Sequence, residues 1–80
     1  MEKKQNCLYD VVYSVNGHSY CSFRSADTFE LAYVALCELV NEHRELYSHA
    51  SLHPEVSYSV RVFDFDLMTS YCHHSFTVHY

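Results

Sequence analysis

Gly17 and Pro54 are the only glycine and the only proline in 80 residues, and tryptophan is absent. That scarcity leaves little room for long flexible loops, because these two residues punctuate most turns and linkers. Cationic residues are few: five Lys and Arg stand against ten Asp and Glu, a formal net charge of −5. A general nucleic-acid binder needs clustered Lys and Arg to displace counterions, and an anionic membrane surface needs the same. Both partner classes are disfavoured. No run of 18 apolar residues occurs, which excludes a membrane-spanning helix by length. No glycine-rich phosphate loop and no catalytic signature is present. Met1-Glu2-Lys3-Lys4-Gln5-Asn6 reads as a lead straight into a strand rather than an export signal, so the expected location is the cytoplasm. The four cysteines, Cys7, Cys21, Cys37 and Cys72, stand singly with no CxxC pair. In an unexported chain they are expected to be reduced, small and buried.

What the chain does have is apolar content, at 49%, with eight tyrosines. This suffices for one domain spanning 1–80 with a thin core, since a chain of this size buries roughly 60% of its unfolded surface. Asn16-Gly17 lies between Leu8–Val15 and His18–Arg24, two runs rich in β-branched and aromatic residues, which is a hairpin signal. A two-residue loop mixes polar and apolar residues on both faces. A three-residue loop, Val15-Asn16-Gly17, separates them. Tyr9, Val11, Tyr13, Cys21 and Phe23 then share one face, with Asp10, Ser14, His18, Tyr20, Ser22 and Arg24 on the other. The three-residue loop is the expected register.

Asp27-Thr28-Phe29-Glu30 has the form of a capping box with Asp27 as the cap. From there to about Tyr47 a helical stripe follows: Phe29, Ala32, Tyr33, Leu36, Val40, His43 and Tyr47, widened by Cys37 and Leu39. Glu38, Glu42 and Glu45 fall opposite, with Leu31 and Val34 on the same outer side. Ser48–Glu55 reads as a loop. Val56–Phe63 alternates as a half-buried strand with Val56, Tyr58, Val60 and Val62 inward. Tyr71–Tyr80 reads as a last strand, with Cys72, His74, Phe76, Val78 and Tyr80 on one side and Tyr71, His73, Ser75, Thr77 and His79 on the other. The expected fold class is α+β, in the order ββαββ, with one helix on one face of a mostly antiparallel four-stranded sheet. Strand order stays open between the end strands lying side by side, as in a β-grasp arrangement, and a meander.

Seven histidines invite a metal site. His49 and His53 have a four-residue spacing but fall in a loop, and His73 and His74 alternate across a strand. Zinc needs three or four converging ligands. No metal, no other cofactor and no catalytic residue is expected. The cysteines map to apolar sides, so none reads as a nucleophile.

Two surfaces remain. One is the sheet face left open by a single helix, with Tyr20, Arg24, Arg61, Phe63, Tyr71, His73 and His79 among serines and Thr77. Aromatics with arginine on a sheet can stack RNA bases, but Tyr, Phe and Arg are equally the residues of protein interfaces and of self-dimers. The acidic chain favours protein over RNA. The other surface is the helix strip of Glu38, Glu42 and Glu45 with Leu31 and Val34. The Glu38–Glu42 like-charge pair costs about 0.2–0.5 kcal/mol. Such a strip fits a basic partner surface.

A hairpin, then the acid-capped helix Asp27-Thr28-Phe29-Glu30-Leu31-Ala32, then a valine-rich strand together resemble small phage-encoded proteins. Among these are anti-CRISPR proteins and phage inhibitors of host RNA polymerase. The resemblance is one of architecture and composition over the middle of the chain. It implies a non-enzymatic, stoichiometric inhibitor that covers a basic, nucleic-acid-binding surface of a larger host protein or nucleoprotein complex. A homodimeric interaction module using the open sheet face or an edge strand is the alternative, and a zinc- or RNA-binding module a third.

Overall fold

The computed structural model describes residues 6–49 and 51–80, so the lead-in expected of Met1 through Gln5 lies outside the described residues. The elements run β1 (Cys7–Val15), β2 (Cys21–Ala26), α1 (Phe29–Ser48), β3 (Glu55–Asp64) and β4 (Thr69–His79). The strands form one antiparallel sheet in the order β2-β1-β3-β4. This is the expected ββαββ, α+β architecture, though neither strand order considered for it holds. The reason lies in the helix. Twenty residues carry the chain about 30 Å along the sheet, and the short 49–54 connection then sets Val56 beside Val15. From there β3 can only run back antiparallel to β1.

Asn16 and Gly17 both take positive φ, +52° and +76°, and the His18 N–H donates to the Val15 carbonyl at 3.1 Å. The turn is therefore the two-residue type whose twist suits a hairpin. The three-residue loop is corrected. So is the register, because Tyr13 pairs with Cys21 and Tyr9 with Ala26. Ser14 Oγ takes the His18 carbonyl, which a regular ladder would have used, and residues 18–20 leave the strand. Asn16 also pins the next strand. Its N–H donates to the Glu55 carbonyl at 2.7 Å, and its Oδ1 accepts from the Glu55 N–H at 3.0 Å.

The helix cap is Thr28, one residue later than expected. Thr28 Oγ1 accepts from the Leu31 N–H at 3.2 Å. Position N3 is thus Leu31, and no reciprocal capping box forms. The buried stripe of α1 is Ala32, Ala35, Leu36 and Leu39, packed on Tyr9 and Val11 of β1 and on Val56, Tyr58, Val60 and Val62 of β3. Each fully buried Val or Leu contributes about 1.5–3 kcal/mol. The inward set expected of β3 is confirmed residue for residue. Tyr33, expected in the helical stripe, is instead 48% exposed. The expected burial of cysteines also fails: Cys21, Cys37 and Cys72 are exposed, and Cys7 is half-buried.

Two β-bulges redirect side chains. In β2, Val11 pairs with Arg24 and Val12 with Ser22, which leaves Phe23 as the extra residue. In β4, Val60 pairs with His74 and Arg61 with Cys72, which leaves His73 as the extra residue. A bulge inverts the alternation beyond it. Cys72 therefore moves to the open side, and Tyr71, paired with Val62, moves to the helix side.

Candidate functional site

The open sheet face does not assemble the surface expected of it. Arg24 lies on the helix side, its Nη1 2.8 Å from Glu38 Oε2 of α1. His73 is also on the helix side, its ring centroid 4.4 Å from Phe29 and 6.5 Å from Tyr9. Tyr71 follows it there, and Tyr20 precedes β2 in the connection. These are corrections to the proposed sheet-face set: the two bulges turn Arg24, His73 and Tyr71, and Tyr20 falls where residues 18–20 leave the strand. Arg61, Phe63 and His79 do face the open side. They fall at opposite ends of it, because Phe63 pairs with Ser70 while Glu55 pairs with His79. Eight residues of strand separate those pairs, about 27 Å. Between them runs a stripe of small hydroxyls, with Ser57 3.1 Å from Thr77 and Ser59 3.2 Å from Ser75. A hydroxyl stripe offers no stacking platform. At one end, Arg61 and Phe63 line a recess of 360 Å³ with Leu8, Asp10, Phe65 and Ser70.

The helix surface is assembled as expected. Leu31, Val34, Glu38, Glu42 and Glu45 all lie exposed on α1. At 100° per residue they fall within one narrow arc, on the flank that overhangs β2. Leu31 is 59% and Val34 54% exposed. Both line a groove of 380 Å³ between α1 and β2, whose other walls include Ala26, Ala35 and Arg24. Glu38 is drawn to one side by Arg24. That half-exposed ion pair is worth less than about 1 kcal/mol. Glu42 and Glu45 enter no ion pair among the described residues.

On the opposite flank, the backbones of α1 and β4 stay apart, and long side chains at the two helix ends reach across, Phe29 to His73 and Tyr47 to Tyr80 just past β4, whose rings are 5.3 Å apart. The helix-side residues of β4 are thus only partly covered. Tyr71 is 50% exposed, His74 is exposed, and Phe76 and Val78 are half-buried. The sequence does carry a signal for this surface: residues 67–80 contain no Asp, Glu, Lys or Arg.

Among the described residues no group of three or more His, Cys, Asp and Glu is placed to hold a metal ion. Burial, then Asp64 and Asp66, push the Cys7 thiol up, away from the reactive thiolate. Burial lowers the His43 imidazole, with Glu42 opposing, and raises the Tyr58 phenol, to which the Tyr80 hydrogen bond adds. The three side chains form a chain of contacts that ties α1, β3 and the residue following β4 together. Burial likewise raises the Tyr9 phenol. Among the described residues no helix is long and apolar enough to cross a membrane.

No protein-family model matches this sequence, and neither the curated proteins nor the solved structures contain a chain that matches it. The class in view is therefore set by fold and surface alone: a small α+β domain with a one-sided helix.

Proposed function

We propose that this chain is a non-enzymatic protein-binding module of the cytoplasm. In this reading it meets a basic surface of a larger partner through the outer face of α1 and blocks what that surface normally holds. One observation carries it: Leu31 and Val34, each more than half exposed, line an apolar groove at one end of a strip formed by Glu38, Glu42 and Glu45. An apolar anchor beside same-sign charge is a useful division of labour. The anchor supplies burial on contact, and the charge supplies steering and choice of partner. A stoichiometric inhibitor of the phage type, acting on a nucleic-acid-binding enzyme, is the biological role that fits this chemistry.

The test compares capture of partners by the wild-type chain and two variants, followed by titration of the captured protein. Leu31→Ser with Val34→Ser removes the anchor. Glu42→Lys with Glu45→Lys reverses the strip without touching the Arg24–Glu38 pair. Each is expected to lower affinity at least tenfold, about 1.4 kcal/mol. The effect of charge reversal is expected to shrink as salt rises. Equal affinity for all three chains removes the helix face from consideration.

A further inference from the structure

β4 is an outer strand of the sheet, and its free edge has a definite hydrogen-bonding pattern. The Tyr80 N–H donates to the Pro54 carbonyl at 3.0 Å. Backbone groups alternate along an antiparallel ladder. Val78, Phe76 and His74 therefore turn their N–H and C=O groups toward β3, as Tyr80 does. Ser75, Thr77 and His79 turn theirs outward, where no strand of this sheet receives them. Sheet edges are usually guarded by brevity, by Lys or Pro, by inward charges or by a covering element. The opposite edge follows that rule: β2 has six residues, a bulge and Arg24. β4 does not. It has 11 residues, α1 does not lie over it, and beyond the bulge its stretch from His74 to His79 pairs regularly. Residues 67–80 hold no Asp, Glu, Lys, Arg or Pro.

We infer that a second copy of this chain adds its β4 to this edge, antiparallel across a two-fold axis, to make one eight-stranded sheet. Self-pairing fits the edge for three reasons. Two identical antiparallel strands are self-complementary, and pairing of the outward-facing Ser75, Thr77 and His79 with one another keeps like faces together. Phe76 and Val78 then lie beside the same residues of the copy on the helix side, as apolar cross-strand neighbours. Charge points the same way. Two chains of −5 repel, and β4 is a surface where neither presents a carboxylate of its own strand. The third reason is area. The two-fold axis stands perpendicular to the sheet, so both helices lie on one side. The exposed His74 and the half-buried Phe76 and Val78, on the helix side of each β4, come to lie in the space between them. This adds apolar surface to the strand edge, toward the about 800 Å² per partner of a standard interface.

Light scattering across a concentration series tests the assembly, with amide hydrogen exchange as a second readout. The expected mass is twice the 9.4 kDa of one chain at high concentration, falling toward 9.4 kDa on dilution. The amides of Ser75, Thr77 and His79 are expected to exchange more slowly as concentration rises, while those of β2 do not change. Thr77→Pro deletes an N–H that the single chain does not use. It is expected to keep the circular dichroism of the parent and to remain at 9.4 kDa. Thr77→Lys, which sets two like charges near the axis, is expected to do the same. If Thr77→Pro does not fold, Thr77→Lys and the exchange data decide. A wild-type chain that stays monomeric at near-millimolar concentration overturns the inference, including the case in which the edge serves a peptide from another protein. A dimer that persists in the folded variants, or that leaves the three amides unprotected, overturns it as well.

Discussion

His43 Nδ1 lies 2.8 Å from the Tyr58 hydroxyl, so the last third of the helix is fastened to a central strand by one polar contact inside an aromatic cluster. Tyr13, Tyr47 and Tyr58 surround the imidazole, with ring centroids 5.1, 5.6 and 5.7 Å away. The Tyr58 hydroxyl in turn meets that of Tyr80. A polar group placed so needs its partners, because an unpaired one costs its desolvation.

The first prediction concerns pH. Burial disfavours the imidazolium, so His43 titrates below its ordinary 6.5 in the fold. Between the two values the unfolded chain binds more protons than the native one. Stability is therefore fully present above about pH 6.5 and is lost as pH falls toward the depressed value. Below that value the loss from His43 is complete and constant. Thermal midpoints measured across this window are expected to fall in the wild type and to fall less steeply in His43→Gln. Equal slopes in the two proteins would remove His43 as the source.

Asn16 makes the second. Its positive φ and its side-chain acceptor for the Glu55 N–H are separable. Asn16→Gly keeps the backbone freedom and removes the acceptor, at an expected cost of about 0.5–1.5 kcal/mol. Asn16→Ala loses both and is expected to cost about 1 kcal/mol more, since a Cβ disfavours the left-handed region. Urea midpoints of the three chains give the order Asn, then Gly, then Ala.

The third separates two candidate caps. Thr28→Ala removes the acceptor of the Leu31 N–H and is expected to cost about 1 kcal/mol. Asp27→Ala lies one residue outside the helix, and its expected cost is within about 0.5 kcal/mol. Chemical denaturation distinguishes them, and the reverse ranking would restore Asp27 as the cap.

Element types were readable because each rests on a local rule. Alternation in Val56–Val62 put four side chains on one face, and tertiary packing left all four fully buried. The apolar spacing from Phe29 onward marked the helix to within a residue of either end. The cap slipped by one because Asp27 and Thr28 are both good acceptors, and only the approach of the chain to the sheet chooses between them. The cysteines misled because a small apolar residue on a nominally inward side is buried only if something lies over it. Among the described residues nothing lies over Cys37 on its flank of the helix, and the β4 bulge turned Cys72 outward.

By itself the chain's order of residues determined one helix, four strands and the acidic arc of Glu38, Glu42 and Glu45, since periodicity and charge act over a few neighbours. Tertiary structure alone decided that β1 and β3 lie side by side at the centre of the sheet, and where the two ladders slip. Those slips sent Arg24, Tyr71 and His73 to the helix side, and the strand order left β4 with an open edge. A bulge is a compromise between strands brought together from distant parts of the chain, and no local window contains both.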